Sequence, residues 1–205
     1  SLFNTHLHLS MTGATMAAGL SDMRRSIKYG EQQKANNMAE CLVHGITHVR
    51  DAWDADLRVN RALKERISKG ELPGPRIVQA VAVGPTGSYL LEKLSLPMNL
   101  LMPPRPDFSK DYAGGVAFPI DASEKQVREA VNIAIDVRGA DAIKIGEQNP
   151  SMHTNKPVPV MTIEQLSAVA DQARRRGVQV FADQYPYEAS GTGIVGALIP
   201  RSAQV

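Results

Sequence analysis

The chain has 205 residues, enough to bury a real core, and a single domain over residues 1–205 is the natural expectation. With 43% hydrophobic and 21% charged residues and a formal net charge of +2, it lacks the basic excess of a nucleic-acid binder. It also lacks an apolar run long enough for a membrane span, so the expected partner is a small-molecule substrate.

Residues 2–8 are predicted as the first strand, and within it Asn4-Thr5-His6-Leu7-His8 sets two histidines one residue apart. Alternate side chains of a strand share a face, so His6 and His8 project together while Leu7 points away. Two neutral imidazoles side by side are a ready ligand pair for Zn²⁺ or a similar borderline metal. Taken alone, the same residues also fit a short polar strand.

A Gly- and Met-rich segment leads to a predicted helix over Glu31–His44, with Ala35, Met38, Ala39, Leu42 and Val43 on one face and Gly45 placed to end it. Cys41, the one cysteine, lies on the apolar side of this helix and reads as buried filler rather than a nucleophile. A lone cysteine excludes an internal disulfide framework and fits a reducing, cytoplasmic setting. Ile46–Arg50 is the second strand, and Asp56 is placed to cap a helix carrying Leu57, Leu63 and Ile67. Pro73-Gly74-Pro75 turns the chain into a third strand, Arg76–Val83. Between Gly84 and Ile120 runs a long Pro-rich connection in which Tyr89–Leu96 has room for a helical turn or two. Leaving the end of strand three, it reads as a substrate-covering segment.

Ser123-Glu124-Lys125-Gln126 is a capping-box pattern, followed at helical spacing by Val127, Ala130, Val131 and Ala134. Gly139 ends that helix and Ala142–Ile145 is the fourth strand. Thr162-Ile163-Glu164-Gln165 heads another helix with Leu166, Val169, Ala170 and Ala173 inward; Gly177 ends it and Val178–Ala182 is the fifth strand. Arg174-Arg175-Arg176 reads as that helix's last turn, where cations suit the dipole.

Strands alternating with Gly-terminated helices argue for an α/β fold of parallel βα units. Five units against the roughly 250 residues of a closed barrel predict an incomplete (β/α)8 barrel of TIM type, with an open doubly wound sheet as the alternative. In a barrel, a His pair ending the first strand sits on the rim that carries the chemistry.

Four pieces, in order, resemble the amidohydrolase superfamily of metal-dependent barrel hydrolases: Asn4–His8, Cys41–Asp51, Gly70–Arg76 and Gly139–Ile145. The series, covering residues 2 to about 182, is most similar to the imidazolonepropionase-like and prolidase-like branch. The resemblance implies His6 and His8 on one zinc ion and Lys144, carboxylated at the end of strand four, bridging to a second. A carbamate offers two anionic oxygens where an ammonium would repel the cations; the alternative for Lys144 is a surface or ion-paired lysine. Asp183–Ser190 resembles the D-aminoacylase branch and draws the substrate expectation toward N-acyl amino acids.

Departures from the family pattern are specific. Where the family has a fifth-strand histidine this chain reads Ala182-Asp183-Gln184, so Asp183 is the candidate oxygen ligand, against a turn role before Pro186. No residue matches the sixth-strand histidine or the eighth-strand aspartate that serves as general base, and the chain is expected to continue past Val205. His153, in the loop after strand four, and Tyr185 are candidates for substrate contact; His44 and His48 read as structural, and Asp51 as a residue that orients a ligand from behind.

The expected activity is hydrolysis of an amide-type C–N bond, in a dipeptide or N-acyl amino acid, by water activated on one or two Zn²⁺ ions or another divalent metal. Two rivals stand beside it. One is a non-catalytic barrel fragment whose open sheet edge favours self-association as a homo-oligomer or pairing with a complementary half. The other is a deaminase of the same superfamily, which would use the His pair without the bridging lysine.

Overall fold

A computed structural model of the chain describes residues 2–9, 33–54, 56–92, 108–147, 149–150 and 156–178. In chain order these form strand β1 (Leu2–Leu7), helix α1 (33–43), β2 (Ile46–Asp51), α2 (Arg58–Ser68) and β3 (Arg76–Pro85). A 3-10 turn (Tyr89–Leu91), β4 (Gly115–Phe118), α3 (Glu124–Asp136), β5 (Ala142–Lys144) and α4 (Ile163–Arg175) follow.

All strand pairs are parallel. β3 is long enough to serve three neighbours: its residues from Arg76 to Gln79 pair β2, Ala80 to Ala82 pair β5, and Ala82 to Pro85 pair β4. Ala82 stands opposite both Gly115 and Lys144, so β4 and β5 flank it on opposite edges. The result is a mixed α/β half-barrel, a curled parallel sheet with four helices. Among the described residues no helix is long and apolar enough to cross a membrane.

The helices start where their caps predict. Thr162 Oγ1 accepts the Gln165 N–H at 3.2 Å while Gln165 Oε1 accepts the Thr162 N–H at 3.1 Å, so two otherwise orphaned donors satisfy each other. Gln126 Oε1 likewise accepts the Ser123 N–H. Asp56 acts one position earlier than a cap: Leu57 is the cap residue, and Asp56 Oδ1 takes the Arg58 N–H at 3.0 Å. Gly45 and Gly139 leave α1 and α3 with φ of 76° and 67°, the left-handed region their placement predicts.

The helices pack on one face of the sheet through two apolar clusters. Leu9, Met38, Val49, Leu63 and Ile77, joined by Leu7, Cys41 and Ile67, fill the space beneath α1 and α2. Val81, Val83, Val127, Ala130, Val131 and Ala134, joined by Ile143 and Ile145, fill the space beneath α3 and α4. All four predicted inward residues of α3 are buried, and fully burying each valine contributes about 2 kcal/mol.

Several expectations change. Leu42 and Val43 are 36% and 77% exposed; the stripe of α1 that faces the sheet runs instead through Lys34 and Met38. On α4, Leu166 is exposed, and Gln165 and Ala168 are buried beside Val169 and Ala173. Gln165 is accommodated because its amide donates to the carbonyls of Ile120 and Ala122. β4 arises inside the stretch read as one long Pro-rich connection, where Gly114 and Gly115 let the backbone pack closely on residue 54 and Leu91. Strand β5, Ala142–Lys144, is half-buried throughout and one residue shorter than predicted. Of the predicted strand Val178–Ala182, only Val178 lies among the described residues, packed on the α3 cluster.

Candidate metal centre

The two faces of the sheet sort the candidate residues. Leu7 and Leu9 pack into the cluster beneath α1 and α2, so alternation turns His6 and His8 to the face away from the helices. The two imidazole rings lie 5.4 Å apart, centroid to centroid, at 70°. Ile143 and Ile145 pack toward α3, so Lys144 between them also projects to the helix-free face. Because the strands are parallel, all three residues share the carboxyl rim.

Register gives the spacing along that rim. Leu7 pairs Asp51, Asp51 pairs Gln79, and Lys144 pairs Ala82 three residues further along β3. On a flat sheet, β1 and β5 would stand about 14 Å apart; curling of the half-barrel draws their helix-free faces toward one another.

His8 is held on three sides. Its Nδ1 lies 3.0 Å from the Trp53 carbonyl. A carbonyl only accepts, so Nδ1 carries the hydrogen, and in the neutral ring the lone pair is then on Nε2, the form a cation needs. On either side of His8 the backbone is tied to the same segment: Ala52 N–H donates to the Leu7 carbonyl at 2.7 Å, and Leu9 N–H to Asp51 Oδ1 at 3.4 Å. His6 lies in an irregular stretch, where β1 shifts register between Asn4 and Leu7; its N–H donates to Asn4 Oδ1 at 3.2 Å. Two imidazoles side by side, one with Nδ1 held from behind, fit a borderline divalent cation in their neutral form.

Beneath this rim lies a polar cluster that the sequence pattern does not announce. Asp51, fully buried, accepts from Asn60 Nδ2 at 2.7 Å and Gln79 Nε2 at 3.0 Å. Lys34, also fully buried, donates to Asp54 Oδ2 at 2.7 Å and Asn60 Oδ1 at 2.9 Å. Burial lifts the Asp51 carboxyl from 3.8 to about 6, the nearby Asp54 charge adding to the rise and the Gln79 and Leu9 hydrogen bonds opposing it. The expectation that Asp51 supports a ligand from behind thus takes a specific form: it holds the Leu9 backbone, while the ring of His8 is held by Trp53. One signal was available for Lys34, a cation four residues before Met38 on the apolar side of α1.

The remaining candidates separate clearly. His153, Asp183 and Tyr185 lie outside the described residues. Among the described residues no three His, Cys, Asp or Glu side chains converge. The other ligands the sequence suggests to accompany the His pair are Lys144 and Asp183. His48 stacks on Phe3 at 4.3 Å and His44 is exposed beside Glu40, both structural placements. Cys41 is partly buried and its thiol pKa is raised by desolvation, which disfavours a nucleophile.

No family sequence model matches this chain, and no curated protein sequence does. Solved structures do resemble it. A Xaa-Pro dipeptidase with bound methionine in its active site aligns at 22% identity and a TM-score of 0.59, over 86% of this chain and 41% of that one. The A. niger ochratoxinase aligns at 22% and 0.57, over 85% and 40%. Molinate hydrolase aligns at 20% and 0.54, over 85% and 39%. At such identities the likeness establishes a shared fold, and the chain spans about 40% of the length of these proteins.

Proposed function

We propose that this chain forms the metal-binding part of an amidohydrolase that cleaves an amide-type C–N bond, in a dipeptide or an N-acyl amino acid. The observation that carries the reading is the His6–His8 pair, with the His8 tautomer set by the Trp53 carbonyl so that Nε2 is open to a cation. The fold-level neighbours named as dipeptidase, ochratoxinase and molinate hydrolase support the reaction class. The cysteine content supports the cytoplasmic setting.

In this reading His6 and His8 would hold a Zn²⁺ ion, and Lys144, as its carbamate, would help to hold a second. Asp183 is a further oxygen ligand, and His153 and Tyr185 contact substrate. A cation held there would supply Lewis-acid chemistry, polarising a scissile carbonyl and acidifying water. The protein's own part is to hold the His8 ring and the backbone on either side of it, through the Trp53 carbonyl, the Asp51 carboxylate and the Ala52 N–H. No described residue is assigned as general base.

The test is hydrolysis of a panel of dipeptides and N-acyl amino acids by the full-length protein. Zinc-dependent turnover that is lost in His6→Ala is expected; turnover that persists after metal removal rejects the proposal.

A second reading, association through the sheet edge, draws on β1. Leu2 and Phe3 on that strand are 61% and 65% exposed. Exposed apolar residues on an edge strand favour pairing with another chain. The expected assembly is a homo-oligomer, and light scattering of the purified protein checks it.

A further inference from the structure

The Lys34–Asp54 ion pair is an expensive feature to bury. Each charge costs several kcal/mol to remove from water, and well-packed apolar replacements of such pairs are often neutral or stabilising. Its position gives it a use. Asp54 ends the segment 51–54, and Asp51 begins it; Lys34 fixes Asp54 from α1, Asn60 and Gln79 fix Asp51 from α2 and β3, and Asn60 touches both Asp51 and Lys34. Between these two anchors stands Trp53, whose carbonyl accepts from His8. The same short segment holds the Leu7 carbonyl and the Leu9 N–H on either side of His8.

We infer that the buried cluster Lys34–Asp54–Asn60–Asp51–Gln79 is a positioning device for His8, clamping residues 51–54 so that the Trp53 carbonyl keeps the imidazole in its Nδ1–H tautomer with Nε2 presented to the metal. The inference rests on His8 being a metal ligand and adds Lys34, Asp54 and Asn60 as residues that set ligand affinity without touching the cation. A carbonyl displaced by even a few tenths of an ångström weakens its hold on Nδ1, whereas a carbonyl pinned at both neighbours does not drift. Outer partners of ligating histidines typically alter metal affinity by about 10–100-fold.

The experiment uses the full-length protein carrying Lys34→Met with Asp54→Asn, which removes both charges together and leaves neither ion stranded. Two readouts are taken at pH 8 beside a thermal melt: Co²⁺ affinity by titration, and the His8 tautomer in the metal-free protein from long-range ¹H–¹⁵N spectra. The inference expects Co²⁺ binding at least tenfold weaker and a reduced Nδ1–H population at His8, in a variant that melts within a few degrees of wild type. Affinity within twofold and an unchanged tautomer overturn it. Wild-type protein that binds no Co²⁺ defeats the ligand assignment, and the tautomer measurement then decides the positioning role by itself. Should the double variant not fold, Asp51→Asn is read in the same two ways, with a threefold loss of affinity and a tautomer shift as support and no change in either as refutation.

Discussion

His8 and Trp53 are 45 residues apart, yet the imidazole Nδ1 of one lies 3.0 Å from the backbone carbonyl of the other. That bond fixes which ring nitrogen is left to act, and it separates holding the ring from using it. Asparagine carries a donor close to the position of Nδ1 but nothing in place of Nε2. His8→Asn is therefore expected to melt close to wild type, within about 0.5 kcal/mol, while metal affinity collapses. Thermal melts and metal titration on the same preparation check this; equal loss of both would show that the ring is structural.

Lys144 distinguishes the binuclear hydrolase from a deaminase that uses the His pair alone. It projects to the same sheet face as His6 and His8 and stands at the same rim. Lys144→Ala is expected to lower metal content and to cut hydrolysis by at least about 100-fold, a loss of ~3 kcal/mol of transition-state stabilisation. Metal analysis and steady-state kinetics read the two effects. Unchanged hydrolysis of the same substrate after Lys144→Ala removes the carbamate from the account.

Gly114 passes so close to residue 54 that a β-carbon would overlap the Asp54 carbonyl oxygen. Neither backbone can give way freely: Ala82 N–H bonds the Gly114 carbonyl at 2.8 Å, and Leu57 N–H bonds the Tyr112 carbonyl at 2.8 Å. Gly114→Ala should destabilise the fold by about 3 kcal/mol. Gly139→Ala, which meets nothing within 4 Å and strains only the φ of 67°, should cost about 1 kcal/mol. Urea unfolding of the two variants gives the comparison; equal effects would contradict the packing argument.

Asp51 predicts a pH dependence of stability in the metal-free protein. Its carboxyl rises from 3.8 to about 6, burial being the main cause. Between those values the folded chain keeps a proton that the unfolded chain has released, so stability falls as pH climbs through the window and is level above it. The span corresponds to about 3 kcal/mol at most. Asp51→Asn cannot titrate there. Relative to that variant, wild type should lose stability from pH 4 to pH 6 in urea unfolding, and a gap that is constant or widens in wild type's favour contradicts the assignment.

What the sequence made legible was local. Caps at Ser123 and Thr162, glycines after the helices and the apolar spacing of α3 each act within a few residues, and each is found in the structure. The shared face of His6 and His8 also follows from strand alternation and needs only Leu7 to turn toward the helices. What escaped depends on distant partners. Nothing local links Lys34, Asn60 and Gln79 to Asp54 and Asp51, which only the fold brings to them. The anchor of His8 is a backbone carbonyl, which no residue type signals. β4 was hidden inside a stretch read from its prolines as one long connection; its two leading glycines serve close packing against residue 54 and Leu91.

The most direct measurement is elemental analysis of the full-length protein after zinc loading and removal of excess metal, in wild type and in the His6→Ala and His8→Ala variants. One or two equivalents of zinc retained by wild type and lost from each variant is the predicted result. A wild type that retains no transition metal, or variants that retain as much as wild type, would contradict it.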